Sequence, residues 1–344
     1  MAWSGSGSDG NLRLAMAEPV RVLMITSEWP TPARPHDVPF IVRQVNFLRK
    51  AGVDLDLFPF RGGKNPLNYA RAWRQVRQVI KANTYDLIHV QWGQSGLLAL
   101  PKPNRLPLVV TFRGDDLEGI IGGSGRKNLP GWILQVLSSQ VVARAADQVI
   151  LVSESLAQKI PTRSYHIIPS GLDLSLFKPV PQEAARKKLG LSLDCRYILF
   201  AGSINNPRKR YWLAQQAVEI LKDEMPVELI SASGIPHEAV AEYINAADVL
   251  LLTSVHEGSP NVVKEALACN VPVVSTDVGD VRQRINGIPG CVILPDDSPQ
   301  TIASSLRSVL TRKERADSRS TILDLDERIL THKVLNVYQE VLNR

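Results

Sequence analysis

Two carboxylates, Glu257 and Glu265, stand eight residues apart in the stretch His256-Glu-Gly-Ser-Pro-Asn-Val-Val-Lys-Glu265-Ala-Leu-Ala-Cys-Asn-Val-Pro-Val-Val274. An apolar run, 249–253, leads into them and reads as a buried strand. Gly258, Ser259 and Pro260 read as a turn, and 261–268 as a helix. The first backbone N–H groups of a helix lack partners within it, and its macrodipole is positive at that end, so anions are favoured there. Two helical turns put the carboxylates on nearly one face, one beside the anion and one farther along. Ionised carboxylates are strong acceptors for vicinal hydroxyls. The set therefore suits a ligand with a diphosphate in the middle and hydroxyl-rich groups at both ends. The plainer alternative is a capping Glu257 and a solvated Glu265. The Gly-Ser-Pro turn, the strand before it and the Pro272-Val-Val strand after it weigh against that alternative.

Such a site needs rigid elements to hold it. Short apolar, β-branched runs recur at 20–26, 53–58, 87–91, 108–111, 149–152 and 166–168, then at 197–201, 227–231, 249–253, 271–276 and 291–294. Runs without polar alternation mark strands buried on both faces of a parallel sheet. Helical segments lie between most of them. One is 40–51, with Phe40, Ile41, Val45 and Leu48 on one face and Gly52 as its stop. The Pro-rich Lys178-Pro-Val-Pro181 precedes a fresh helical pattern, 182–189, and divides the strands into two sets. The expected fold class is α/β, with two Rossmann-like, doubly wound parallel-sheet domains facing a cleft, and ligands at the carboxyl ends of the strands. Residues 1–18 read as a flexible tail or cloning scar, 19–178 and 179–326 as the two domains, and 327–344 as a terminal helix packing back towards the first.

The 344 residues are 44% hydrophobic and 22% charged, ordinary values for a chain with ample core. The N-terminus lacks the basic and apolar regions of a signal peptide, and no run approaches the length that spans a bilayer, so a cytoplasmic location is expected. Cys195, Cys269 and Cys291 have neither disulfide nor zinc spacing and read as reduced thiols. Residues 1–180 hold 21 Lys/Arg against 13 Asp/Glu, a charge of +8, while the remainder carries −2. A basic first half points to an anionic partner such as a membrane surface, and the 66–82 helix, with Trp73 among Arg71, Arg74, Arg77 and Lys81, could rest on anionic lipid. An ordinary solvated helix is the alternative. No basic stripe interleaves with aromatics, so nucleic acid is not expected.

The 257–265 segment resembles the Glu-x7-Glu signature of the retaining family 4 glycosyltransferases, which have the GT-B fold. The resemblance implies that Glu257 contacts the transferred sugar and Glu265 the nucleotide ribose, with backbone of Gly258, Ser259, Pro260 and Asn261 beside the sugar and diphosphate. It runs through residues 20–342. Phe200-Ala-Gly-Ser-Ile-Asn-Asn-Pro-Arg-Lys209 is similar to the family's Gly-Arg-Leu…Lys-Gly loop, so Gly202 and Ser203 fall in the donor site, and Lys209 and Arg208 neutralise the diphosphate, with Ser203 where the family has Arg. Arg208-Lys209-Arg210 read as a solvated face is the alternative. Thr111-Phe-Arg-Gly-Asp-Asp116 resembles Thr-x-His-Gly-x-Asp, which puts Arg113 in the place of the sugar-facing His and Asp116 in that of the family's Asp. Ile168-Pro-Ser-Gly-Leu-Asp173 resembles the family's Pro-Asn-Gly-Val-Asp. In the 28–40 loop, Val38-Pro39 replaces Gly-rich backbone, and His36, Asp37 and Arg43 are acceptor-side candidates. His89 reads as a packed histidine.

These features imply a hexosyltransferase that moves a sugar from a nucleoside-diphosphate sugar to a hydroxyl acceptor with retention, the acceptor being a glycolipid, polyprenyl-linked or polysaccharide precursor. The first domain would face the acceptor and the second bind the nucleotide-sugar. No Asp-x-Asp pair falls on a plausible site, so no metal and no cofactor are expected. Two alternatives stay open: a sugar-nucleotide epimerase or hydrolase, and a catalytically silent nucleotide-sugar-binding module. A dehydrogenase is disfavoured because no Gly-x-Gly-x-x-Gly follows the first strand.

Overall fold

The structure, a computed structural model, describes residues 19–62, 65–119, 129–162, 164–200, 202–312 and 314–344. The expected tail, 1–18, lies outside the described residues. The first domain runs β1 (Arg21–Thr26), α1 (Pro39–Lys50), β2 (Asp54–Pro59), α2 (Pro66–Ala82), β3 (Leu87–Gln91), β4 (Leu108–Phe112), α3 (Asp115–Glu118), α4 (Leu129–Ala145), β5 (Gln148–Leu151) and β6 (His166–Ile167). Its strands form one parallel sheet in the order β2-β1-β3-β4-β5-β6. The second runs α5 (Gln182–Leu189), β7 (Arg196–Phe200), α6 (Tyr211–Lys222), β8 (Val227–Ser231), α7 (His237–Ala246), β9 (Val249–Leu252), α8 (Asn261–Ala268), β10 (Val273–Ser275), α9 (Val281–Ile285), β11 (Val292–Ile293) and α10 (Pro299–Leu310). Its parallel sheet has the order β11-β10-β9-β7-β8. A terminal helix, α11 (Glu327–Leu342), closes the chain.

Each sheet is covered on both faces, which is why its inner strands lack the polar alternation that the edge strand β2 keeps at Asp54 and Asp56. On one face of the first sheet α1 buries Ile41, Val45 and Leu48 completely, each worth about 1.5–3 kcal/mol relative to exposure. On the other face α2, residues 93–99 and α4 share a cluster holding Val76, Leu98 and Val142. In the second domain α6 and α10 cover one face through Leu213, Val218, Ile302 and Leu306. There α7 and α8 cover the other, through Ile244, Val263 and Leu267.

α11 does pack back on the first domain, against α1, and its Val334, Leu335 and Tyr338 join the same buried cluster as α1, α7 and α8. The return is fixed by backbone pairing: Leu172 N–H donates to Leu325 O at 2.8 Å and Glu327 N–H to Leu172 O at 2.9 Å. Strands β10 and β11 are shorter than the apolar runs at 271–276 and 291–294, partly because Pro272 has no N–H and offers only its carbonyl, to Leu250 N–H at 2.9 Å. The three cysteines are free thiols.

Candidate active site

The carboxyl ends of both sheets open on one cleft. A cavity of about 480 Å³ lies there, lined by Ser27 and Glu28 after β1, Trp92 after β3, Arg113 after β4 and Val152 after β5. From the second domain come Gly202 after β7, Ala232 after β8, and Glu257 to Val262 with Glu265 at and within α8. Parallel sheets place their ligands at this edge because the connections leaving it are free to shape a pocket while the strands stay rigid.

Glu257 is its electrostatic centre. The strand β9 ends at Leu252, and the following loop brings the carboxylate, 8% exposed, between two cations. Arg208 Nη1 lies 2.6 Å from Oε2 and Lys209 Nζ 2.5 Å from Oε1, and Ser254 Oγ donates to Oε1 at 2.7 Å. Burial alone would raise the carboxyl's pKa, but attraction to Lys209 and Arg208 and the hydrogen bonds from Lys209 and Ser254 override it and hold it at about 2. Glu257 thus stands between two cations, one of which, Arg208, also lies 3.8 Å from Asp115 of the first domain. Asn206 prepares the cations' turn by accepting from Arg208 N–H at 3.0 Å.

Eight residues on, Glu265 is 4% exposed and accepts from or pairs with His237 Nε2 at 2.9 Å. His237 begins α7, with its ring against the edge of Phe177 at 5.1 Å. Between the two carboxylates, α8 starts at Asn261 without a side-chain cap, so its first turn faces the cavity uncapped. Ser259 Oγ donates to Asp280 Oδ2 at 2.9 Å, which steadies the turn.

Gly258 sets how closely the domains meet. A Cβ there would lie 2.2 Å from Arg113 O, and one on Gly114, whose φ is +120°, would lie 2.9 Å from Gly258 Cα. The turn after β4 and the turn before α8 therefore touch backbone to backbone, an approach only glycine allows.

Several of the residues singled out from the sequence gather at this cavity: Glu257, Lys209, Arg208, Glu265, Gly258, Ser259, Pro260, Asn261 and Gly202 all line it. Others need correction. Ser203 is exposed and does not line the cavity, because the chain turns outward after Gly202. Arg113 lines it, but its guanidinium is turned onto the protein. Nε and Nη2 donate to Gln91 Oε1 at 3.0 and 2.7 Å, Nη2 to Gln44 Oε1 at 3.0 Å and Nη1 to Ser170 Oγ at 2.7 Å, over the Phe40 ring. Burial lowers its pKa to about 10, against the pull of Glu327 and Asp116.

Asp116 does not face the cleft; fully buried, it accepts from Gly93, Arg113 and Gly114 N–H at 2.9, 3.1 and 3.0 Å and staples the turn. Burial raises its pKa to about 6 against those hydrogen bonds. Arg43 pairs with Glu327 Oε2 at 3.1 Å and donates to Gly171 O, so it ties α1 to α11. With His36 and Asp37 it lines a neighbouring pocket of about 340 Å³ rather than the main cavity, which shares only Pro39 and His237 with it. Asp37 lies 3.7 Å from Arg61 and 3.9 Å from Arg34. His89 is a core histidine between Tyr338 Oη and Thr111 Oγ1, at 2.7 and 2.8 Å, with burial and then Arg113 lowering its pKa to about 3.

Sequence reading missed three contributors. Ser254 and His237 carry no spacing signal, being single residues after a strand and a Pro-led turn. Lys264 does carry one, as a lone charge among the apolar residues of α8. It is fully buried, donates from Nζ to Ser170 O at 2.8 Å, and has its pKa lowered to about 8, chiefly by burial.

Comparison with known proteins adds an independent line. Residues 11–176 match the family described as Glycosyltransferase Family 4, and residues 232–312 that described as Glycosyl transferases group 1. A putative teichuronic acid biosynthesis glycosyltransferase, TuaC of Bacillus subtilis, is 25% identical over 359 residues, 86% of this chain and 89% of the relative. A D-inositol 3-phosphate glycosyltransferase of Thermobispora bispora is 27% identical over 277 residues, 67% of this chain; the chain spans 64% of that relative's length. Among solved structures, sucrose-phosphate synthase of Thermosynechococcus elongatus superposes with a TM-score of 0.76 at 17% identity, over 94% of this chain and 99% of that one. Anabaena HepE, solved with UDP and glucose, gives 0.67 at 14% identity, over 93% and 100%. The two sheets and the cleft between them are thus the GT-B architecture.

Proposed function

Because the chain belongs to the family 4, group 1 glycosyltransferases, we propose that it moves a sugar, with retention and without a metal or other cofactor, from a nucleoside-diphosphate sugar to a hydroxyl acceptor. The observation that carries this reading is the arrangement on one cleft wall of Arg208 and Lys209 around Glu257, then the uncapped start of α8, then Glu265. The cations serve the diphosphate, Glu257 the sugar and Glu265 the ribose. In the transfer, the bond from the anomeric carbon to the diphosphate oxygen breaks and the acceptor oxygen bonds to that carbon on the same face. The acceptor proton passes to a donor phosphate oxygen, and Lys209 and Arg208 hold the leaving diphosphate. Fixed cations facing charge that develops in the transition state lower the barrier by several kcal/mol.

A uridine donor is favoured, since the HepE neighbour of the same fold was solved with UDP and glucose. The teichuronic acid assignment printed for the Bacillus relative fits an acceptor that is a polysaccharide precursor or lipid-linked sugar. The basic first half fits one presented at the inner face of a membrane. A donor-binding module without turnover is the second reading, and the internal engagement of Arg113 favours it.

A thermal-shift screen of UDP, GDP, ADP and their common sugars, with Glu265→Ala alongside, tests the donor pocket. A ligand at about 100 times its dissociation constant adds about 2.7 kcal/mol of stability. The expected result is a base-selective shift in the wild type that the variant loses. A folded protein that no nucleotide stabilises would overturn the donor-pocket assignment, and binding without turnover on any acceptor would favour the second reading.

A further inference from the structure

The acceptor-side candidates read from the sequence lie at the far end of the cleft from the transfer. His36, Asp37 and Arg43 line the neighbouring pocket, to which the second domain contributes His237 and Glu238 of α7. His237 also lines the main cavity, where it pairs with Glu265 at 2.9 Å. That is the ribose end of the proposed donor. The reacting hydroxyl has to approach the sugar end, beside Glu257 and Gly258.

A different stretch of the first domain stands there. The turn after β4 touches Gly258, and Ser139 of α4 is tied to that turn by donating from Oγ to Asp116 O at 2.8 Å. Gln135 precedes Ser139 by one helical turn. Gly93 packs so closely on Ser139 that a Cβ would collide with its Oγ, which sets Gln94 against the same part of α4. Both glutamines line the main cavity, Gln135 at 8% exposure. The Oε1 of each is buried and has no hydrogen-bond partner in the protein. Ten side-chain atoms share that condition among the described residues, and three belong to this cavity's wall: these two and Asn261 Oδ1 on the donor side. A buried amide oxygen without a donor is costly and rare. The last torsion of Gln is soft, so a small rotation turns the oxygen into the cavity. Acceptor atoms waiting on a cavity wall match a ligand that brings O–H groups.

The charge of this wall narrows the ligand further. The first domain lines the cavity with three charged side chains among the described residues, Glu28, Arg113 and Asp115. Arg113 is committed to Gln91, Gln44 and Ser170, and Asp115 faces Arg208 and His256 across the cleft at 3.8 and 3.3 Å. Arg34 and Arg61, the cations that act on Glu28, pair with Asp37 and lie outside the cavity wall. A carboxylate or phosphate on the reacting sugar would therefore meet Glu28 without an uncommitted cation, and the donor's diphosphate besides. Like charges set together in a site weigh against binding.

We propose that Gln94 and Gln135 form the acceptor subsite, and that the acceptor sugar entering the cleft is uncharged, its hydroxyls donating to the two amide oxygens. This rests on the transferase reading above and names the acceptor class within it. Any charge on a longer acceptor stays outside the cleft.

Saturation-transfer NMR tests it on the protein saturated with UDP, or with whichever of GDP and ADP stabilises it instead. The probes are methyl glycosides of glucose, galactose and N-acetylglucosamine, against those of glucuronic and galacturonic acid. At least one neutral glycoside should bind, and its uronide counterpart at least tenfold more weakly. Gln135→Leu should weaken the neutral glycoside about tenfold, the worth of one hydrogen bond, with nucleotide affinity unchanged. Its melting temperature should not fall, because the unpaired oxygen is gone; a purely structural role for Gln135 would lower it. Gln94→Leu is the second variant, with the same expected loss, and Glu28→Gln should narrow the gap between glucoside and glucuronide. Three results would overturn the subsite while leaving the donor pocket in place: no neutral glycoside bound to the nucleotide complex, uronides bound as tightly, or both glutamine variants binding like wild type. Protein that no nucleotide stabilises would overturn the donor reading, and this proposal with it.

Discussion

Replacing Glu257 with Gln keeps the side chain's size and removes its charge, so it isolates what the carboxylate does for the two cations. Folding lowers the carboxyl's pKa from 4.5 to about 2. At about 1.36 kcal/mol per unit this corresponds to about 3 kcal/mol of stability. Breaking one partner out of a buried ion pair costs about 3–5 kcal/mol by a separate route, and Arg208 and Lys209 here are each only 15% exposed. A depressed carboxyl pKa contributes fully above the unfolded value and is lost as pH falls through the folded one. The wild-type advantage over Glu257→Gln should therefore be flat from neutral pH to about 5 and shrink below about 4.5. Urea unfolding of both proteins at a series of pH values reads it directly. In the same variant the cleft gains one unit of positive charge, so bare UDP should bind about tenfold tighter, an effect of the size of one screened charge interaction, while sugar transfer falls. A stability difference under about 1 kcal/mol at neutral pH, or weaker binding of bare UDP, would refute the triad as a buried, charge-compensated unit.

Gly258→Ala should cut turnover about a hundredfold with little loss of nucleotide binding. Its Cβ would fall 2.2 Å from Arg113 O and must open the domain contact, and displacement of reacting groups by about 1 Å costs on that scale; steady-state kinetics with a separate UDP titration checks it, and wild-type turnover would refute the contact. Arg113→Met should cost about 3 kcal/mol in urea unfolding by stripping Gln91 and Ser170 of their donor and Gln44 of one of its two, yet leave UDP affinity within about threefold. A large loss of affinity with stability intact would return Arg113 to direct ligand contact.

The fold was largely legible because its signal is local. Most of the inner strands, such as β4, β7 and β9, are nearly unbroken apolar runs, and such runs have few other solutions than parallel sheets covered on both faces. Glu257, Glu265, Arg208 and Lys209 were legible for a similar reason: they sit beside strand ends, and strand ends in this architecture open on the cleft. Arg113 and Asp116 sit just as close to such an end and misled, as did Arg43, which lies inside α1. What separates the two groups is which protein acceptors or donors each side chain meets, and those come from far along the chain. Glu327 is 284 residues from Arg43, and Ser170 is 57 from Arg113. Spacing carries no trace of either. Lys264 was legible in principle, since a charge inside an apolar helix face must find a partner, but its partner is a carbonyl of the other domain.

That distinction bears on how the domains are kept in register. Arg113 N–H is held by Asp116, its carbonyl faces Gly258, and its guanidinium reaches Ser170, whose own carbonyl accepts from Lys264 of α8. One residue at the end of β4 thus meets the turn before α8 directly and the body of α8 through Ser170. Glu257 precedes and Glu265 lies within that helix, so Arg113 ties the segment that carries both carboxylates to the first domain. Four hydrogen bonds from its guanidinium, to Gln91, Gln44 and Ser170, hold this register. At this position, where the motif it resembles has His, the chain has an Arg that holds the turn before α8 against the first domain.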